Sequence, residues 1–138
     1  MDAMTETLVP GSIHSAIHPS AIVAPSAELG AGVRIGPYCT VGPDVVIEDG
    51  AELVSHVVVD GHTRIGPGVV LYPFCTVGLA PQDLKYRGEP TRCEIGARTQ
   101  ITAGAVLGEG VTVGADNVIT RGARIFPGVN LPDGAINF

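Results

Sequence analysis

The sequence predicts an all-β fold, one domain in which a single run of short strands winds into a parallel β-helix, and three observations carry that prediction. Aliphatic residues recur at every sixth position, glycine and proline crowd the intervals, and aromatic residues are scarce. The first run is Ile17, Val23, Leu29, Ile35, Val41, Ile47, Leu53, Val59, Ile65, Leu71 and Val77; after a break the same phase returns as Ile95, Ile101, Leu107, Val113, Ile119, Ile125 and Leu131. No hexad leads with a polar residue, and neither a helical nor a heptad period matches a spacing of six. With 45% hydrophobic but only 4% aromatic residues, no Trp, 19 Gly and 11 Pro, the core must be aliphatic and the turns frequent.

Each part of the chain then takes its place. Residues 1–12 lack the repeat and contain Leu8-Val9-Pro10-Gly11-Ser12, which predicts a flexible leader ahead of a β-helix domain spanning 13–138. Within a hexad the fifth position is small or β-branched (Ala21, Val33, Cys39, Val45, Ala51, Val57), so one large and one small side chain point inward per hexad. Glycine at the second position (Gly30, Gly36, Gly42, Gly66) suits a corner where the backbone lies close to the next coil. Three hexads close a triangular coil, and six coils stacked at the strand spacing of about 4.8 Å give a prism roughly 29 Å long.

Residues 83–94 break the phase and hold Lys85, the only lysine of the chain; they are expected to form a loop thrown out from a corner. Asn117 falls on an inward position, where its amide is expected to bond corner backbone rather than do chemistry.

Charge and cysteine usage exclude several functions. The net charge of −6 and the scattered basic residues leave no stripe for nucleic acid. No apolar run is long enough to span a membrane and no secretory signal is visible, which predicts a cytoplasmic protein without membrane insertion. Three cysteines without a CxxC pair predict reduced thiols and no zinc ribbon. Cys39 and Cys75, two coils apart on one face, would lie about 9.6 Å apart and belong to the core. Cys93, in the break, is expected to be an exposed thiol. His56 and His62, at successive corners, are too far apart to share a metal within one chain, and no cofactor is implied.

The repeat pattern resembles the hexapeptide-repeat acyltransferase superfamily, and that resemblance implies left-handed coils: a single-stranded left-handed parallel β-helix of about six triangular coils with one extruded loop, assembled as a homotrimer. The run from Ser55 to Gly66 (Ser-His-Val-Val-Val-Asp-Gly-His-Thr-Arg-Ile-Gly), followed by Gln82-Asp83-Leu84-Lys85-Tyr86 and Gly88-Glu89-Pro90-Thr91-Arg92, is similar to the acyl-carrier-protein-dependent UDP-N-acetylglucosamine O-acyltransferases that begin lipid A synthesis. The likeness runs from about Ile17 to Gln100. It implies that Gln82, Asp83 and Lys85 bind the acyl chain's hydroxyl and the sugar nucleotide in a cleft between subunits. Arg87 and Arg92 would meet the acidic acyl carrier protein.

In that family a histidine beyond the loop takes the proton from the attacking sugar hydroxyl. Here no histidine follows His62, and the family's helical C-terminal domain is not in this sequence. His56 is then the candidate base in the front coils. The coils from Val118 to Ile136 resemble instead the β-helix end of sugar-nucleotide pyrophosphorylases. Two functions stay open on these grounds: an O-acyltransferase, and a non-catalytic trimeric scaffold or ligand-binding module.

Overall fold

The computed structural model describes residues 7–8, 15–79 and 91–134, the first pair as backbone only. Residues six apart in sequence turn the same way because each hexad contributes a two- to four-residue strand and a tight corner. The strands therefore sort onto three faces of a left-handed parallel β-helix. Face I stacks Ala16–Ile17, Arg34–Ile35, Glu52–Leu53, Val70–Leu71, Gln100–Ile101 and Val118–Ile119. Face II stacks Ile22–Val23, Thr40–Val41, Val58–Val59, Thr76–Leu79, Val106–Gly108 and Arg124–Ile125. Face III stacks Glu28–Leu29, Val45–Ile47, His62–Ile65, Arg92–Ile95, Thr112–Val113 and Asn130–Leu131. All these pairings are parallel; a short strand at Thr7–Leu8 adds to Ala16–Ile17 in antiparallel sense.

The six-residue phase fills the interior. From Ile35 to Leu107 every leading aliphatic residue is at most 2% exposed, and the columns loosen only in the first and last coils, where Ile17, Val23 and Leu29 are half-buried and Leu131 reaches 9%. Burial of aliphatic side chains at this completeness is worth about 1.5–3 kcal/mol each before the entropy of ordering the chain is set against it. Cys39 and Cys75 lie in these columns as free thiols, and burial raises the pKa of both.

Polar inward residues close the corners from inside. Asn117, 2% exposed, donates from Nδ2 to the carbonyls of Gly114 (3.1 Å) and Pro132 (2.9 Å). Thr99, one coil earlier in the same column, donates to the carbonyl of Gly114 at 2.8 Å. Such groups satisfy corner carbonyls that no strand can reach.

Outer corners need a left-handed residue, and chemistry divides them. Between faces III and I the positions are Gly32, Gly50, Gly68, Arg98, Asp116 and Gly134; between faces I and II they include Tyr38, His56, Phe74, Gly104 and Gly122.

The break is shorter than the phase suggested. Arg92–Ile95 is already a strand, paired with His62–Ile65 over all four residues, so the coil resumes at Arg92 and not after Glu94. Cys93 is correspondingly not an exposed loop thiol. It points inward beside Thr63, is 1% exposed, and burial, with the charge of Glu94 adding to it, pushes its pKa up to about 12. Rungs that do not cross the break join residues eighteen apart, whereas His62 to Arg92, Val70 to Gln100 and Thr76 to Val106 join residues thirty apart. The insertion thus amounts to two hexads and leaves the ladder in register.

Candidate functional site at the looped corner

The insertion leaves from the corner between faces II and III. One coil before it, the chain turns through Asp60 and Gly61; Gly61 carries the positive φ of 68°, and His62 already opens the next strand. Thr63 fixes this turn from inside by donating its hydroxyl to the carbonyl of Asp60 at 2.7 Å. In the following coil the chain does not turn at the equivalent place. Thr76–Leu79 runs straight on, with an irregular register between Val77 and Leu79. Gly78 makes that passage possible: a Cβ there would stand 2.1 Å from Thr63 Oγ1 and 2.3 Å from the carbonyl oxygen of Asp60. The chain departs beyond Leu79 and returns at Thr91, and above it the Gly108–Gly110 turn closes the corner again.

The returning strand places charged side chains on face III. His62 and Arg92 are direct register partners, as are Arg64 and Glu94, and all four are exposed. With Asp44 they border a shallow depression at the foot of the loop. Arg64 is engaged by Glu48 at 3.2 Å, an exposed pair of small energetic weight. No cluster of metal-ligating side chains occurs among the described residues.

Gln82, Asp83, Lys85 and Arg87 lie outside the described residues. Arg92 is described: it stands at the foot of the loop beside His62, on a regular strand. His56 is elsewhere. It occupies the corner between faces I and II with φ 52°, and its ring is held between Tyr38 (centroids 5.2 Å) and Phe74 (4.9 Å). A strand of face II separates it from the looped corner, so within one chain His62, and not His56, is the histidine next to the insertion. The spacing alone put both histidines at the fourth position of their hexads; what it did not reveal is that Gly61 takes over the left-handed role at this one turn.

A family description, Bacterial transferase hexapeptide (six repeats), matches residues 26–61. An acyl-[acyl-carrier-protein]–UDP-N-acetylglucosamine O-acyltransferase of Rickettsia typhi is 44% identical over 119 residues, covering 81% of this chain and 45% of that protein. The chain carries the hexapeptide repeat of bacterial transferases over residues 26–61 and is similar to this acyltransferase over most of its own length. Among solved structures, the UDP-N-acetylglucosamine acyltransferase of Acinetobacter baumannii superposes on this chain with a TM-score of 0.82 at 40% identity, over 85% of this chain and 48% of that one. PerB of Caulobacter crescentus, solved with CoA and GDP-perosamine, gives 0.75 at 32% identity over 89% and 53%. This hexapeptide-repeat chain spans about half the length of the curated relatives it matches. Among the described residues no helix is long and apolar enough to cross a membrane.

Proposed function

We propose that this chain is a UDP-N-acetylglucosamine O-acyltransferase of the lipid A type, working as a cytoplasmic homotrimer, with its substrates in a cleft built on the looped corner. The observation that carries the reading is the 44% identity to the Rickettsia acyltransferase, a match covering 81% of the chain. In this reading Gln82 and Asp83 hold hydroxyl groups directionally and Lys85 meets a phosphate as a point charge. Arg87 and Arg92 give an otherwise acidic chain a cationic place for the acyl carrier protein.

The reaction is direct transfer. The sugar hydroxyl oxygen attacks the thioester carbonyl carbon, a base removes the hydroxyl proton, and the carrier thiolate leaves. His62 is the base nearest the loop; both faces of the His56 ring are taken by Tyr38 and Phe74. A second reading, a trimeric binding module that holds the ligand without turning it over, is favoured by one observation: no histidine follows His62.

The test is a transfer assay with UDP-N-acetylglucosamine and a hydroxyacyl carrier protein, the product identified by mass spectrometry. The expected result is acylated sugar nucleotide from the wild type, lost in Asp83→Ala and reduced about 10²–10⁴-fold in His62→Ala. Full activity in His62→Ala with loss in His56→Ala would move the base to the other corner. No product from folded protein that still binds the nucleotide would establish the binding module.

A further inference from the structure

Three Asp-Gly bonds occur in the chain, Asp49–Gly50, Asp60–Gly61 and Asp133–Gly134, and each aspartate is exposed at a corner. Such a bond is prone to close on itself, because glycine has no side chain to keep its amide nitrogen from the carboxyl carbon of the residue before it. Exposure does not separate the three; hydrogen bonding does. The Asp49 carboxylate accepts the N–H of Ala31 at 2.9 Å and the Asp133 carboxylate that of Ala115 at 2.7 Å, each donor belonging to the coil below. The glycine amides are occupied as well: Gly50 donates to the carbonyl of Ala31 and Gly134 to that of Ala115, both at 2.8 Å. At these two corners the carboxylate and the amide are committed to other partners.

Asp60 differs in both respects. The N–H of Gly61 donates at 2.8 Å to Oδ1 of Asp60 itself, so nitrogen and carboxyl already face each other. One residue in the coil below accounts for the difference. All three Oδ1 atoms stand over the α-carbon of a glycine there, Gly30, Gly42 or Gly114, where an added Cβ would collide with them. The residue after Gly30 and after Gly114 is alanine, and its N–H ties the carboxylate down; the residue after Gly42 is Pro43, which has no N–H to give. The N–H of Gly42 is spent on the carbonyl of Val59 at 2.9 Å. The Asp60 carboxylate turns instead to the amide of its own neighbour.

We infer that Asp60–Gly61 is a site of spontaneous backbone modification, the bond at which the folded chain converts to isoaspartate. The Gly61 nitrogen attacks Cγ of Asp60. The N–Cγ bond forms, one carboxyl oxygen leaves as water with the amide proton and one proton from solvent, and a succinimide results. Water then opens the ring at either carbonyl, which restores aspartate or leaves the main chain running through Cβ and Cγ. The turn has little tolerance for the second product. The N–H of Asp60 donates to the carbonyl of Val77 at 3.1 Å, and its carbonyl accepts the Thr63 hydroxyl and lies where a Cβ on Gly78 would stand. In the isoaspartyl chain that carbonyl becomes a free carboxylate, so a new charge appears at the root of the loop, beside the strand that His62 opens.

Prolonged incubation of the folded protein at neutral pH tests this, with isoaspartate measured bond by bond by electron-transfer fragmentation of its peptides and a urea-unfolded sample alongside. Attack at Asp49 or Asp133 must first break a charge-assisted hydrogen bond, so the folded protein is expected to convert Asp60 about tenfold or more faster than either, a preference that urea abolishes. Pro43→Ala supplies the missing N–H and slows Asp60 toward the other two. Ala31→Pro removes a donor and speeds Asp49, with circular dichroism verifying both folds. Equal conversion of the three aspartates in the folded protein, or conversion of Asp60 only after unfolding, overturns the inference. So does a folded Pro43→Ala that ages like the wild type; should that variant misfold, an Asp49 left as slow as before by Ala31→Pro does the same.

Discussion

The two left-handed corners that flank face I solve one backbone problem with different side chains. Between faces III and I the turn is made by glycine in four coils and by Arg98 and Asp116 in the other two, which grip each other through Nε to Oδ1 at 2.7 Å and Nη2 to Oδ2 at 3.0 Å. Between faces I and II, Tyr38, His56 and Phe74 take the same strained region, where an L-residue loses roughly 1–2 kcal/mol. The two aromatic pairs return about 0.5–1.5 kcal/mol apiece against three left-handed residues, so the rib leaves a net cost for folding. These residues fold the chain no better than glycine would and leave two large rings at 65% exposure.

Four substitutions probe that contrast. Gly36→Ala, at the start of the aromatic corner, should be the most damaging, because its Cβ would stand 1.8 Å from the carbonyl oxygen of Val54; a loss of about 3 kcal/mol in urea unfolding is expected. Backbone proximity, and not the aromatic rib, would then be what this corner needs to fold. On the other corner, Asn117→Leu strips the carbonyls of Gly114 and Pro132 of a buried donor and should cost about 2 kcal/mol by the same measurement.

His56→Gly sharpens the comparison most. Relief of the left-handed strain offsets the lost ring contacts, so the unfolding free energy should move by less than about 1 kcal/mol. A large loss of stability in the monomer would make the rib a folding element after all.

Asp116→Asn should have the smallest effect. The hydrogen bond from Arg98 lowers the pKa of the Asp116 carboxyl from its ordinary 3.8, so the pair's contribution is complete above that value and fades as pH falls through the lowered one. Both groups are solvated; a pH titration of Tm should show only a slight acid-side difference between variant and wild type, absent in high salt.

Much of the fold was legible because its rule is strict. A period of six leaves no freedom over which side chains turn inward, and Ile17 through Leu131 follow it. Asn117 was readable for the same reason, since an inward amide at a corner has only backbone to bond. The candidate site was legible only in outline. Periodicity locates an interruption but cannot say where pairing restarts, because Arg92, Cys93 and Glu94 alternate outward and inward like any strand and carry no leading aliphatic residue until Ile95. That is why Cys93 read as an exposed thiol and is instead buried. His56 and His62 share a hexad position, and only the Asp60–Gly61 turn, one residue early, separates their roles.

The thirty-residue rungs at the looped corner have a consequence for how this molecule varies over time. Strand pairing registers where the chain re-enters the ladder and takes no account of the path between Leu79 and Thr91. The excursion can therefore lengthen, shorten or change sequence without disturbing a single interior column. In one chain a conservative frame and an open field for experiment sit side by side, joined at Gly78, and new specificities can be tried there without first being stable.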